Sequence, residues 1–511
     1  MLENIVKNKT CVKTAVYALI AIILPFALLL AMYLLTGNGL DLTELFPTYS
    51  DEFSWYSQIR SFVECGEIYG NYGYNGSSAP SMGVGPWGFI ILIPYILVGK
   101  IIGMSSFSMV TANILFISFA VLIFVLLVKP TKRQYFALYL SEISLYLLNI
   151  YLSISMSESL RYAMSIIILA FMIRLYRGEG RSVYCYVIVP LVLFVCSMIF
   201  MINVIWFPAY FFYILRLRYM SVNLIINFIG TAVLAVVVNG VTGLTSCQYL
   251  QPSTIQQLLN AFHEGFGNGI VTFAKIFVHN IYTVDLFQII TDAKENFGVT
   301  SWFFVFYLII MACFIIYVYK MRREKNQWQW MLGAYILAGF LLAFCGLYTG
   351  VRWTLARGIC VGFVAAMFLL SVCGNRKIYA VVLVLMVLSF PSFYQFSSSS
   401  FAERKVSEEV REGIERERMD LKEKIKITTD GDRWNNTVAY YGQMDHSLLV
   451  IPEGFGLNCM FDTTKVCEAR WAFVDKSYEE DSVERLAALL GNNGYQMVYK
   501  SESFYIYERV K

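Results

Sequence analysis

Long apolar runs recur along most of the chain, and they constrain its fold more than any other feature. A bilayer core of about 30 Å needs about 20 consecutive apolar residues per helix. The sequence meets this requirement repeatedly between Thr14 and Phe393. Hydrophobic residues make up 58% of the 511-residue chain and charged residues 15%, whereas soluble domains average about 45–50% and about 25%. This composition argues against a soluble enzyme and predicts an α-helical polytopic membrane protein.

The apolar runs predict about 11 transmembrane helices. The first, Thr14 to Leu35, is longer than the apolar region of about 7–15 residues in a signal peptide and is expected to remain as an anchor. The other helices are expected at 106–128, 135–153, 159–175, 183–202, 204–217, 222–242, 300–319, 328–347, 354–373 and 377–394. An odd number of crossings places the two ends of the chain on opposite sides of the membrane.

Basic residues predict which side is the cytoplasm, because short cytoplasmic loops retain Lys and Arg near the helix ends. One alternating set of connections carries Lys7, Lys9, Lys13, Lys129, Lys132, Arg133, Arg174, Arg177, Arg181, Arg216, Arg218, Lys320, Arg322, Arg323, Lys325, Arg376 and Lys377. The other set includes the long loops 37–105 and 243–299, which are sparse in basic residues. The N-terminus is therefore predicted inside and the C-terminus outside. This orientation requires that the short apolar stretch from Pro86 to Ile102 be interfacial or re-entrant.

The composition changes after Pro391, so we predict a membrane domain over 1–396 and an extracytoplasmic α+β domain over 397–511. Aromatic and β-branched residues predict strands at 437–441, 447–452, 470–474 and within 495–510, with a helix at 479–491. Cys459 and Cys467 lie in this domain, where they could form a disulfide or remain free thiols.

Charge and cysteine spacing exclude two other classes of function. The net charge of +4 is too small for a nucleic-acid-binding face. The 11 Cys and 3 His residues form no C-x-x-C pair and no Cys/His cluster, so a zinc site is unsupported.

The first outer loop carries two adjacent carboxylates, Asp51 and Glu52, beside the aromatic residues Trp55 and Tyr56. A carboxylate near the membrane surface can accept a proton from an acceptor hydroxyl as a general base. The alternative is a pair of solvated acids beside interfacial aromatic anchors.

Three further features are expected on the outer side. Glu158 and Arg161 are spaced i, i+3 at the start of a span, where they form either a functional pair or a helix-end ion pair. Arg352 and Arg357 stand against the positive-inside trend and are suited to a phosphate group or to outer-leaflet headgroups. The loop 243–299 has two amphipathic stretches, which are expected to lie in the membrane interface.

The segments at 47–56, 86–104, 155–177 and 350–358 together resemble the GT-C superfamily of integral membrane glycosyltransferases, with a layout similar to that of protein mannosyltransferases and aminoarabinose transferases. The matching places are held by Asp51-Glu52, Pro86-Trp87, Ile102-Gly103, Lys132-Arg133, Ser157-Glu158 with Arg174, and Arg352-Trp353. The chain departs from the family pattern in lacking the usual Pro-Asp before Arg174 and in carrying Trp353 where Tyr is usual.

The resemblance implies an inverting transfer of a sugar from a polyprenyl-phosphate donor to a lipid, polysaccharide or protein acceptor on the outer face of the cell membrane. It implies Asp51 as the base, with Glu52 or Glu158 orienting the substrate or a divalent cation (Mg or Mn). Tyr56, Arg161, Arg352, Trp353 and Arg357 are then candidate substrate-binding residues.

Other classes of membrane protein remain open from the sequence alone. An exporter or flippase of lipid-linked polysaccharide should show half-repeats or charged residues near mid-span, and the sequence has little of either. A polymerase or ligase would use a large outer loop rich in Arg and His, but loop 243–299 has no Arg. A noncatalytic scaffold would tolerate the replacement of Asp51.

Overall fold

The computed structural model describes seven long stretches of chain, together with shorter segments and isolated positions. These are 2–35, 55, 58–59, 62–63, 89–104, 106–144, 152–153, 156–215, 229–230, 233, 237, 254–279, 299–324, 327–342, 380, 384, 448–451, 471–475, 484, 487–488, 490–492, 494–500 and 504–510.

The described part of the chain is mostly helical up to residue 342. The helices are α1 (Leu2–Leu35), α2 (Ile93–Ile102), α3 (Ser106–Val128), α4 (Lys132–Ser144), α5 (Glu158–Tyr176), α6 (Val189–Ile199), α7 (Phe207–Leu215), α8 (Thr254–Glu264), α9 (Phe266–His279), α10 (Val299–Arg323) and α11 (Gln327–Leu342). A 3₁₀ turn (Ile90–Leu92) leads into α2, a π-helical turn (Tyr184–Ile188) leads into α6, and a second 3₁₀ segment (Met201–Trp206) leads into α7.

Three helices in the described residues are long and apolar enough to cross a bilayer: Thr14–Leu35 within α1, Ser108–Val128 within α3, and α5. Their bounds agree with the predicted spans 14–35, 106–128 and 159–175. Helices also occupy the described parts of the predicted spans near 135, 183, 204, 300 and 328. The chain therefore has the helical membrane fold that its composition predicts. The predicted spans 222–242, 354–373 and 377–394 lie outside the described residues apart from single positions.

Helix α5 is the centre of the bundle, with buried side chains on all its faces. Such a helix needs apolar or small residues all round, and ESLRYAMSIIILAFMIRLY meets this except at its ends. Helix α5 packs most closely on α3, and the ring of Trp206 joins α11 to the bundle through Tyr335, with 6.1 Å between ring centroids.

Helices α6 and α7 form a hairpin whose turn is at Phe200. Phe200 has an extended backbone (φ −146°, ψ 102°), which ends α6. The amide of Asn203 donates to the carbonyl of Cys196 (2.9 Å), and the hydroxyl of Tyr210 donates to the carbonyl of Cys185 (2.9 Å). The first bond joins the two segments next to the turn, and the second joins them farther from it. Helix α7 therefore runs back along α6.

Helix α2 folds back along the start of α3. The Tyr95 hydroxyl donates to Oδ1 of Asn113, eight residues into α3 by position, at 2.8 Å. Gly103 ends α2 with φ +83°, a backbone conformation that glycine adopts without strain. The 13 residues from Ile90 to Ile102 rise only about 20 Å as a helix, which is too short for a crossing.

The four described strands near the C-terminus form a mixed sheet in the order β1-β2-β4-β3. They are β1 (Leu448–Ile451), β2 (Trp471–Asp475), β3 (Tyr495–Lys500) and β4 (Phe504–Arg509). Strand β1 runs parallel to β2, and β4 is antiparallel to both β2 and β3. Strands β1, β3 and β4 fall within the predicted strand segments, and β2 extends one residue beyond the predicted 470–474. Segment 437–441, Cys459 and Cys467 lie outside the described residues.

Candidate functional site

Helices α3 and α5 run parallel, so their first turns lie at one end of the bundle and their last turns at the other. The two ends differ in chemistry. At one end the Nη1 atom of Arg177 donates to the carbonyl oxygen of Val128 at 2.7 Å, joining the last turns of both helices. At the other end Nδ2 of Asn113 donates to the carbonyl of Leu152, six residues before α5 begins, at 3.3 Å.

The first of these ends collects basic residues from two connections, and we call it the basic end. It contains Lys129, Lys132, Arg133, Arg174, Arg177 and Arg181. The guanidinium of Arg174 lies over the ring of Tyr184, 4.9 Å from its centroid. The grouping is the one expected if all these connections share one side of the membrane.

Glu158 and Arg161 lie at the opposite end, in the first turn of α5. Thirteen residues separate Arg161 from Arg174, or about 20 Å along a helix. Nη1 of Arg161 is 3.5 Å from Oε1 of Glu158, so the ion pair predicted from their spacing is formed. The side chains are only 3% and 6% exposed respectively, so the pair is buried rather than solvated at a helix mouth.

This ion pair is only partly satisfied. A charge-assisted N–H···O bond is about 2.7–2.9 Å long, and the pair is more widely separated than that. Oε2 of Glu158, Nε of Arg161 and Oγ of Ser157 are also buried, with no hydrogen-bond partner among the described residues. The guanidinium is supported instead by Phe200, whose ring centroid is 4.4 Å from Cζ of Arg161. A buried charged pair with unfilled hydrogen-bonding positions is costly and is a marker of function.

Tyr95 holds the start of α5 in place. Its hydroxyl donates to Oδ1 of Asn113 at 2.8 Å, and the carbonyl oxygen of Met156 is 3.0 Å from the same hydroxyl. Tyr95 therefore joins α2 to α3 and to the segment just before α5. Ser157 makes no side-chain cap there.

An apolar cluster attaches part of the predicted loop 37–105 to the start of α5. We call it the Trp55 cluster; its buried members are Trp55, Ile59, Ile91, Leu92, Tyr95, Ile96, Met109, Ala112 and Leu160. Trp55 is 1% exposed and Leu160 also 1%. The cluster joins the loop that follows Asp51 and Glu52 in the sequence to the helix that begins with Glu158.

The remaining predicted site residues lie outside the described part of the chain. They are Asp51, Glu52, Tyr56, Arg352, Trp353 and Arg357. Within the described residues no group of three or more His, Cys, Asp or Glu could hold a metal ion. The divalent cation stays a prediction.

Tyr95, Asn113 and Phe200 are site residues that the sequence did not single out. Asn113 offered a signal, because a buried amide inside the apolar run of α3 needs a hydrogen-bond partner. Phe200 offered none, since phenylalanine is common in such spans.

Glu142 is a second buried acid that was not predicted. It is 0% exposed, and neither of its carboxyl oxygens has a hydrogen-bond partner among the described residues. The hydroxyls of Tyr139 and Ser118 donate to the carbonyls of Tyr17 and Ile22 (2.7 and 2.8 Å). Glu142 lies about one helical turn after Tyr139 in α4. This places it closer to the depth of Ser118, which is at the middle of α3.

Helices α8 and α9 pack on each other and carry the amphipathic pattern predicted for loop 243–299. Apolar side chains remain exposed on α9, with Phe266 68% and Val278 63% exposed. His263, Glu264, Lys275 and His279 are also exposed. The exposed apolar residues are as expected of helices in a membrane interface.

Comparisons with known proteins give one structural likeness. No protein-family model matches the chain, and no curated protein matches it. Among solved structures, the crystal structure of ArnT from Cupriavidus metallidurans in the apo state is similar to this chain at 10% sequence identity, with a TM-score of 0.47. The alignment covers 99% of this chain and 98% of that one.

Proposed function

We propose that the protein is a membrane glycosyltransferase that moves a sugar from a polyprenyl-phosphate donor to a cell-envelope acceptor on the outer face of the membrane. The observation that carries the proposal is the buried Glu158–Arg161 pair at the end of the bundle opposite the basic end. An ionised pair with unfilled hydrogen-bonding positions, in the turn of a helix nearest the bundle surface, is suited to a charged headgroup.

The Trp55 cluster supports the placing of the base at the same end. Asp51 stands four residues before Trp55 in the sequence, and four residues of extended chain span at most about 14 Å. Because Trp55 packs in the same cluster as Leu160, this short connection supports the proposal that Asp51 serves the end of the bundle that carries Glu158.

In the proposed step, Asp51 accepts the proton of the acceptor hydroxyl. The hydroxyl oxygen attacks the anomeric carbon from the face opposite the phosphate, and the bond from that carbon to the phosphate oxygen breaks with inversion. The phosphate leaves on its lipid chain with the bonding electron pair, so its developing charge must be stabilised.

Other residues have supporting roles in this proposal. Arg352 and Arg357 stabilise the leaving phosphate, and Glu52 or Glu158 orients the substrate or a divalent cation. Tyr56 and Trp353 offer aromatic faces on which a sugar can stack. The lipid enters sideways between helices, and the extracytoplasmic domain binds the acceptor or regulates the transfer.

Replacement of Asp51 tests the proposal. Purified protein in vesicles is given radiolabelled polyprenyl-phosphate monosaccharides and a membrane extract as acceptor. Asp51→Asn is expected to lower kcat by about 10²–10⁴-fold, because the general base is lost. Glu324→Gln is the matched control, since Glu324 is a half-exposed carboxylate paired with Lys320 at 3.6 Å. Normal turnover by Asp51→Asn contradicts the assigned base.

One observation favours a second candidate, an exporter of lipid-linked polysaccharide. Glu142 is a buried acid near the middle of the bundle, the kind of group that proton-coupled carriers use. An exporter moves the lipid-linked sugar intact, so it leaves the bond between sugar and phosphate unbroken.

A further inference from the structure

Arg161 presents two edges to its surroundings, and only one of them is used by Glu158. Nη1 faces Oε1 of Glu158, while Nε is buried without a hydrogen-bond partner among the described residues. The ring of Phe200 lies against the guanidinium, so it occupies space beside the group without accepting the N–H of Nε. This N–H can therefore donate a charge-assisted hydrogen bond to an oxyanion.

The position of Arg161 favours an anion on that edge. The first turn of a 19-residue helix carries a partial positive charge of about half an elementary unit. A phosphate oxygen would complete the unmet hydrogen bond of Nε, which is otherwise destabilising for a buried donor.

Glu158 sets the strength of such a site. Its carboxylate already neutralises Arg161 in the absence of ligand, and it repels a second anion on the neighbouring edge. The ligand is therefore bound weakly enough to leave, as a product phosphate must.

We propose that Arg161 binds the phosphate group of a phosphate ester through its Nε edge, with Glu158 remaining on Nη1 as a counter-charge that limits the affinity. This inference rests on the proposed function and adds to it a phosphate-binding residue on α5, separate from Arg352 and Arg357. The shared chemistry is a phosphate oxyanion, carried either on an isoprenoid chain or as free phosphate.

The test is calorimetric binding of two probes, farnesyl phosphate and inorganic phosphate, to the purified full-length protein in detergent. Arg161→Lys keeps the charge but lacks the fork, and we expect it to weaken binding at least about tenfold. Glu158→Gln removes the repelling charge and should tighten binding several-fold. Because the two effects have opposite signs, misfolding of one variant cannot produce both.

Arg174→Lys is the matched control. Arg174 is also stacked on an aromatic ring of the next helical segment, but at the basic end of the same helix. It should leave binding unchanged. Dependence on Arg161 for both probes identifies the phosphate alone as the ligand, and dependence for farnesyl phosphate only identifies the lipid-linked form; both support the proposal.

Equal binding by the Arg161→Lys and Arg174→Lys variants, or weaker binding by Glu158→Gln, overturns the assignment. Transfer activity is measured on the same preparations. Sugar transfer without any dependence of phosphate binding on Arg161 would leave the proposed function standing and remove this inference. Phosphate binding that depends on Arg161 without transfer would do the reverse.

Discussion

The hydroxyl of Tyr95 joins α2 to α3 and to the segment just before α5, through Asn113 and Met156. Tyr95→Phe removes the hydroxyl that contacts Asn113 and Met156 at 2.8 and 3.0 Å, and we expect it to lower the free energy of unfolding by about 1–3 kcal/mol. Because Glu158 is displaced as well, kcat for transfer should fall.

The matched control for Tyr95 is Tyr139→Phe, which removes a hydroxyl that donates to the carbonyl of Tyr17 at 2.7 Å, far from Glu158. Chemical unfolding and turnover are measured on both variants. Equal loss of turnover in the two would mean that Tyr95 acts through stability alone.

Glu142 gives the opposite prediction for stability. Its buried carboxyl has no hydrogen-bond partner among the described residues, so Glu142→Met should raise the free energy of unfolding by about 1–3 kcal/mol. Leu138→Met, on the same buried face of α4, is the control for shape and should change stability little. A less stable Glu142→Met protein would show that the carboxyl has a partner in the native fold.

Residue spacing predicted the Glu158–Arg161 pair but not its surroundings. An i, i+3 spacing brings two side chains to one face of a helix whatever the rest of the fold does. Phe200 packs against Arg161, and Trp55 packs in the cluster that contains the neighbouring Leu160; both are far from the pair in the sequence. Such contacts come from tertiary packing, and a single sequence carries no local signal for them.

Among the elements, the long uninterrupted apolar helices were predicted closely, whereas the irregular segments that interrupt helices were not. The limits of α3 coincide with the predicted span because apolar residues end abruptly at Lys129. The π-helical turn and the 3₁₀ segment between Tyr184 and Trp206 were not predicted. The predicted boundary near residue 203 nevertheless lies close to the hairpin turn at Phe200.

Helix α2 gives a prediction about topology. Since α2 folds back along α3 instead of crossing, Ile101 and the exposed residue Ser182 should lie on opposite sides of the membrane. In a cysteine-free background, an impermeant maleimide added to intact cells should label Ile101→Cys and spare Ser182→Cys until the cells are opened. Labelling of Ser182→Cys from outside would reverse the predicted orientation.

At the scale of the whole molecule, the bundle separates a basic end from an end that buries an ion pair. The lengths of the apolar runs predicted the membrane class, and the positions of Lys and Arg predicted the grouping of the basic residues. Both signals are local and can be summed along the chain. That α2, α3, α5 and the residues around Trp55 meet at one site could be seen only in the three-dimensional packing.

The central claim is that a bond between a sugar and a lipid phosphate is broken, and double labelling tests it most directly. Vesicles containing the protein receive a polyprenyl-phosphate sugar with ¹⁴C in the sugar and ³²P in the phosphate, together with the membrane extract. We predict that ¹⁴C passes to the acceptor while ³²P stays with the lipid, and that Asp51→Asn stops this separation. Movement of both labels together across the vesicle membrane, with their ratio unchanged, would contradict the account and identify an exporter.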